Sequence, residues 1–135
     1  MTLVLVRHGR AGDRLEWEGD DRLRPLDKKG RKQADRLPGV LEGIALRRIV
    51  SSPYLRCVQT VEPLAAARGL ELETARELGE GGAEAPALLA ELLADDAVAC
   101  VHGGIEYALG IDHKLRKGAV WLFRDALERP EILVD

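Results

Sequence analysis

Short apolar runs recur along the chain, and longer amphipathic segments separate most of them. The run Leu3 to Val6 has no polar alternation, which is typical of a strand covered on both faces. Further strands are predicted at 47–51, 70–74, 97–101, 119–123 and 131–134. Strands that alternate with helices predict an α/β fold with three layers, in which helices cover both faces of a mostly parallel sheet. The last two runs can pair as a hairpin, so at least one C-terminal strand is expected to be antiparallel.

Helices are predicted in the segments between the strands. The first begins after Asp27, a favourable N-cap residue, and its apolar pattern continues to Gly43. The second runs from Pro53 to Arg68, with Ser52 as its N-cap. A leucine-rich helix follows at 86–94, and a short one after Gly104. The segment from Arg10 to Pro25 has no clear period and reads as a loop over the end of the first strand, with Trp17 as a lid or a packing anchor.

Length and composition favour an ordinary globular domain spanning residues 1–135. Of the 135 residues, 46% are hydrophobic and 32% charged, and the formal net charge of −3 provides no basic field for nucleic acid. The apolar runs are too short to span a membrane, and the first residues read as a strand where a signal peptide would stand, so a cytoplasmic location is expected. Cys57 and Cys100 are expected to be buried, reduced thiols.

Arginine, histidine or serine residues stand at the ends of three of the predicted strands. The first strand ends in Arg7-His8-Gly9 and the fourth in His102-Gly103-Gly104. The second ends in Ser51-Ser52-Pro53, with Arg56 one helical turn later. Because the carboxyl ends of parallel strands share one edge of a sheet, two arginines and two histidines are expected to converge on one cleft. His113 stands among charged residues outside these ends and reads as a surface histidine.

Two arginines and two histidines suit a phosphoryl group. Arg7 and Arg56 offer planar forks for its oxygens, and backbone N–H groups near Pro53 and Gly103 add donors. His8 can attack phosphorus through one ring nitrogen if the other donates to a carbonyl group. The residues therefore predict two displacements through a phosphohistidine, with His102 and the arginines stabilising the phosphoryl oxygens.

These motifs resemble the histidine phosphatase superfamily, the phosphoglycerate-mutase-like proteins. The matching stretches are Leu5 to Gly9, Pro25 to Asp27 with Gly30 and Gln33-Ala34, Ser51 to Thr60, and His102-Gly103. The resemblance implies a phosphoglycerate-mutase-like fold and a phosphoenzyme at His8. It also implies a phosphate pocket completed by Arg7, Arg56 and His102, with Gly103 beside them, and no metal or other cofactor.

The resemblance also suggests a general acid and a subgroup. The acid in this superfamily is often the Glu of a Leu-x-Glu segment, which Leu78-Gly79-Glu80 matches, although Glu77 is close enough to be confused with Glu80. The short chain is most similar to SixA-type phosphohistidine phosphatases. The segment from His8 to Leu26 also resembles phosphatase domains fused to Nudix hydrolases. Val101 departs from the Ser, Thr or Gly usual before the second histidine.

The sequence thus favours a metal-independent phosphatase that acts through His8 on a phosphorylated small molecule or a phosphohistidine protein. Neither nucleic acid nor a membrane is an expected partner. Two alternatives stay open. One is a hydrolase of nucleotide-type phosphates, and the other is a non-catalytic regulatory module that binds phosphate or nucleotides.

Overall fold

A six-stranded mixed sheet organises the fold in the computed structural model, which describes residues 1–135. Its strands are β1 (Thr2–Arg7), β2 (Arg48–Ser51), β3 (Leu72–Thr74), β4 (Ala97–Val101), β5 (Val120–Arg124) and β6 (Glu131–Val134). They lie in the order β3-β2-β4-β1-β5-β6. The first four strands pair in parallel, and β5 runs antiparallel to both β1 and β6. The predicted α/β fold with antiparallel C-terminal strands is confirmed.

The central position of β1 explains its uninterrupted apolar sequence. Leu3 and Leu5 point into a core on one face of the sheet, while Val4 and Val6 point into a second core on the other face. All four side chains are at most 1% exposed. The first core includes Leu89, Leu92, Trp121 and Phe123, and the second includes Leu37, Leu41, Val61 and Leu64. The two cysteines are free and buried in the second core, as expected.

Four α-helices cover the two faces of the sheet. They are α1 (Lys28–Val40), α2 (Leu55–Arg68), α3 (Ala85–Leu93) and α4 (Ile105–Ala108), with single 3₁₀ turns at Asp21–Leu23 and Arg76–Leu78. The side chain of Asp27 caps α1 by accepting a hydrogen bond from the Gly30 N–H. The helix ends at Val40, before the predicted Gly43. None of the helices has the length and apolar character needed to cross a membrane.

The predicted start of α2 at Pro53, with Ser52 as its cap, is wrong. The Ser52 N–H donates to the Cys100 carbonyl at 3.0 Å, which continues the pairing of β2 with β4 by one residue. Its hydroxyl oxygen lies 2.8 Å from Nε2 of His102. The sheet and this histidine thus hold Ser52 outside the helix, and α2 begins at Leu55 with Tyr54 in the N-cap position.

Shortening a side chain of β1 is expected to destabilise the whole fold. Leu5 is 0% exposed, so Leu5→Ala leaves a cavity and is expected to lower the free energy of unfolding by about 2–5 kcal/mol. The matched control is Leu15→Ala, since Leu15 is 92% exposed and should change stability by less than about 0.5 kcal/mol. Urea denaturation measures both; equal midpoints for the two variants would contradict the central role of β1.

Candidate active site

The carboxyl ends of β1, β2 and β4 bring the two histidines together. The register of β1 and β4 pairs Arg7 with Val101, and the His8 N–H donates to the Val101 carbonyl at 3.1 Å. The rings of His8 and His102 consequently lie edge to face, with centroids 5.4 Å apart. Both side chains are almost completely buried at the base of a cleft.

The His8 ring is held in one tautomer. Its Nδ1 lies 2.8 Å from the Gly9 carbonyl oxygen, which can only accept, so Nδ1 carries the proton and Nε2 keeps its lone pair. Burial, reinforced by nearby cationic side chains, lowers the pKa of His8 to about 3 despite this hydrogen bond. The imidazole is therefore neutral at physiological pH.

The backbone at Gly9 is fixed from two sides. Its N–H donates to Oγ1 of Thr60 at 2.9 Å, and that hydroxyl donates to the Arg56 carbonyl within α2. A Cβ atom at Gly9 would stand 2.9 Å from the Gly30 carbonyl oxygen, so only glycine permits this approach of α1. Thr60 therefore links the nucleophile candidate to the helix that carries Arg56. The sequence showed Thr60 only as part of a matching stretch.

Three side chains of the site have buried nitrogens without a protein partner. The chain has four buried side-chain nitrogen or oxygen atoms without a hydrogen-bond partner, and three of them belong to this site: Nε of Arg7, Nε of Arg56 and Nδ1 of His102. A buried polar atom left unpaired costs about 1–3 kcal/mol. The side chains of Arg7, Arg56 and His102 therefore keep hydrogen-bonding capacity that the protein itself does not use.

Arg7 is positioned by the segment that follows α4. Its Nη1 donates to the Leu115 carbonyl at 2.9 Å, and the buried Glu106 carboxylate accepts from the N–H groups of Leu115 and Gly104 at 2.8 and 2.7 Å. Gly103 packs against the guanidinium, since a Cβ there would stand 2.6 Å from Cζ of Arg7. Glu106 escaped the sequence analysis, although an acidic residue just after a Gly-Gly turn is a capping signal.

Arg56 is fully buried and engaged by two carboxylates. Its Nη1 donates to the Asp21 backbone oxygen at 2.9 Å, and its Nη2 lies 3.2 Å from the Asp21 carboxylate and 3.3 Å from that of Glu80. Asp21 belongs to the segment 10–25, whose lack of periodicity hid this contact in the sequence. Trp17 of the same segment is 37% exposed and does not line the cleft.

Glu80 lines the cleft, whereas Glu77 does not. Burial works to raise the pKa of Glu80, but the hydrogen bond and charge of Arg14, with the charge of Arg56, hold that pKa below its usual value. The free protein therefore holds Glu80 as a carboxylate. Glu77 pairs with its neighbour Arg76 instead. His113 is exposed and bonds to Asp135, away from the other histidines.

The cleft is basic and borders an apolar cavity. It has a volume of about 350 Å³, and its charged lining consists of Arg7, Arg14, Arg24, Lys114, Lys117, Glu80 and Glu106. The adjoining cavity of about 310 Å³ shares His102, Gly103 and Gly104 with it. The apolar lining of that cavity consists of Leu78, Ala83, Ala85, Val101, Ile105 and Ala108. No three of the chain's His, Cys, Asp and Glu side chains are grouped to hold a metal ion.

Comparison with known families identifies the architecture around this cleft. The family model of the histidine phosphatase superfamily, branch 1, matches residues 3–105. The chain belongs to this superfamily. The matched residues include His8, His102 and the two arginines predicted for the site, Arg7 and Arg56, so the resemblance inferred from the sequence motifs is confirmed.

Several phosphatases are similar to this chain. An 8-oxo-(d)GTP phosphatase of Mycolicibacterium smegmatis is 48% identical over 64 residues, which are 47% of this chain and 20% of that protein. The matched segment covers less than half the length of that protein and also of a second curated relative, an uncharacterized protein of Picosynechococcus. The protein histidine phosphatase SixA, solved with tungstate, superposes with a TM-score of 0.78 at 20% identity, covering 98% of this chain and 94% of SixA. A mycobacterial glucosyl-3-phosphoglycerate phosphatase gives 0.66 at 19% identity, covering 90% and 88%.

The depressed pKa of His8 predicts a loss of stability on mild acidification. Because the folded value of about 3 lies below the ordinary 6.5, the unfolded chain takes up this proton first as the pH falls. The free energy of unfolding therefore has its full value above pH 6.5, where His8 is neutral in both states, and it falls as the pH decreases towards 3. Between pH 7 and pH 5, the wild type is expected to lose about 2 kcal/mol more unfolding free energy than His8→Asn. Denaturant titrations at both pH values measure this; parallel losses would contradict a neutral, buried His8.

Proposed function

We propose that the chain is a phosphatase that hydrolyses a phosphomonoester or a phosphohistidine through a phosphohistidine intermediate on His8. The observation that carries the proposal is a neutral, buried His8 imidazole in one site with Arg7, Arg56 and His102, each of which has a buried nitrogen without a protein partner. The fixed tautomer supports the same role, because it leaves the Nε2 lone pair free for phosphorus.

The proposed reaction has two displacements at phosphorus. In the first, the Nε2 lone pair of His8 forms a bond to phosphorus while the bond to the leaving group breaks and its electrons depart with that group. Arg7, Arg56 and His102 donate to the non-bridging oxygens, whose charge is redistributed in the transition state. In the second, water attacks phosphorus, the P–N bond breaks, and inorganic phosphate leaves His8 neutral again.

Glu80 would handle the protons of both displacements. Its ionised form in the free protein suits the second step, in which a carboxylate can take a proton from the attacking water. A phosphoryl dianion bound to Arg56 would raise the Glu80 pKa, because it adds negative charge and competes for that cation. The protonated acid could then donate to an ester oxygen in the first step and return to the carboxylate for the second.

A nucleotide-type phosphate is the second candidate substrate. The relative named an 8-oxo-(d)GTP phosphatase supports it through 48% identity over 64 residues. The apolar cavity of about 310 Å³ beside His102 supports it as well, because a flat organic group could lie there while its phosphoryl group meets His8.

Removing the imidazole of His8 is expected to abolish hydrolysis. His8→Ala is expected to lose at least ~10³-fold in kcat on 4-nitrophenyl phosphate in EDTA, because the nucleophile of the first displacement is gone. The matched control, His113→Ala, lies outside the cleft and should keep wild-type activity. Wild-type protein quenched during turnover should carry acid-labile, base-stable phosphate on His8.

A panel of the aryl phosphate, a phosphohistidine peptide, nucleotides and sugar phosphates separates the rival functions. Activity on nucleotides above all others would favour the second candidate. Wild type as inactive as His8→Ala across the whole panel would favour the non-catalytic binding module, and phosphate trapped on another residue would overturn the mechanism.

Replacing Glu80 by a residue that cannot supply a proton is expected to slow the reaction of esters more than that of phosphohistidine. With an alkyl phosphate, Glu80→Gln should slow phosphoenzyme formation by about 10²-fold or more, because an alkoxide leaves poorly without a proton. With a phosphohistidine peptide, whose imidazole leaves more easily, the slowing should be less than about tenfold. Rapid-quench single turnovers measure this step, with Glu77→Gln as the matched control. Equal rates for Glu80→Gln and wild type on the ester would remove Glu80 from the reaction.

A further inference from the structure

The cleft concentrates positive charge in a chain that is negative overall. Five cationic side chains and two carboxylates line it, a formal charge of +3 in a chain of net charge −3. The two carboxylates are already engaged. Glu80 pairs with Arg14 and Arg56, and Glu106 accepts from two backbone N–H groups. A phosphoryl group brings only about −1.5 to −2 charges, so the cleft keeps an excess of positive charge after binding one.

Lys114 and Lys117 hold much of that excess. Neither ammonium group forms an ion pair with any carboxylate of the chain. Burial and then the charge of Arg7, followed by Arg24 and other arginines, lower the pKa of Lys117. An anion bound to these two lysines would offset their repulsion from the arginines of the cleft.

Arg24 supplies a rigid donor to the same cleft. Its side chain is only 7% exposed, with Nε held by Asp21 at 2.9 Å and Nη1 by the Ala11 carbonyl at 2.7 Å. Two of its nitrogens are thus fixed, while Nη2 donates to no acceptor of the protein. A guanidinium held this way is organised to bind an anion before the anion arrives.

We propose that Arg24, Lys114 and Lys117 form a second anion subsite, and that the substrate carries a further phosphate or carboxylate group next to the transferred phosphoryl group. The inference rests on the proposed function, since the first group is the one that meets His8. It assigns the substrate to the class of doubly anionic phosphates, such as diphosphates or phosphorylated carboxylic acids.

The cleft has room for two anionic groups. Two phosphonate groups joined through one carbon contain nine heavy atoms, which require about 270 Å³ at ~30 Å³ each, the share of a molecule in liquid water. The cleft measures about 350 Å³. A single phosphoryl group would leave more than half of it to solvent.

Three non-hydrolysable probes test the subsite by calorimetry: methylphosphonate, phosphonoacetate and methylenediphosphonate. Wild type is expected to bind methylenediphosphonate about tenfold more tightly than methylphosphonate, because charge-assisted hydrogen bonds hold the second group. In the Lys114→Gln/Lys117→Gln double variant this ratio should fall below about threefold. The matched control, Lys28→Gln/Lys29→Gln, removes two exposed lysines of α1 outside the cleft and should keep the wild-type ratio. If phosphonoacetate binds as tightly as methylenediphosphonate, the natural second group is a carboxylate.

The two proposals fail in different ways. The second subsite is wrong if wild type binds methylphosphonate and the second anionic group adds no affinity. It is also wrong if the double variant keeps the wild-type ratio of the two affinities. In both cases the phosphoryl pocket stands. If wild type binds none of the three probes, both the subsite and the proposed function are overturned. Thermal unfolding of the variants checks that their folds are intact, which their exposed positions favour.

Discussion

The parallel pairing of β1 with β4 is the constraint on which the site depends. It sets Arg7 opposite Val101, so the residues that follow, His8 and His102, leave the sheet side by side. The same pairing buries both histidines, and burial keeps His8 neutral among cations. A shift of this register by one residue would exchange the faces of β1 and separate the two rings.

The fold and the centre of the site were readable from sequence because each rests on local patterns. An unbroken apolar run predicts a covered strand, and a polar residue just beyond it must lie at the edge of the sheet. That rule places Arg7, His8 and His102 at one edge of the sheet, and the resemblance to the histidine phosphatase superfamily singled them out as site residues. Arg56 lies one helical turn beyond the next strand end, so an error of two residues in the start of α2 did not displace it.

The contacts that complete the site could not be predicted, because they join residues distant in the chain through irregular segments. Asp21 reaches Arg56 from a loop without periodicity, and the Glu106 carboxylate accepts from the N–H group of Leu115, nine residues further along. The placement of Ser52 shows the same limit. The local sequence favours Ser52 as a helix cap. Its backbone instead bonds to β4 and its hydroxyl group to His102, fifty residues away.

The link from Arg7 to Leu115 has a consequence for the order in which the protein is built. The carbonyl that orients Arg7 is made 108 residues later in synthesis, and β5, the antiparallel neighbour of β1, later still. A nascent chain that extends just beyond β4 holds both histidines, but its Arg7 still lacks this anchor. The Arg7 guanidinium therefore reaches its final position only after the segment between α4 and β5 has been added.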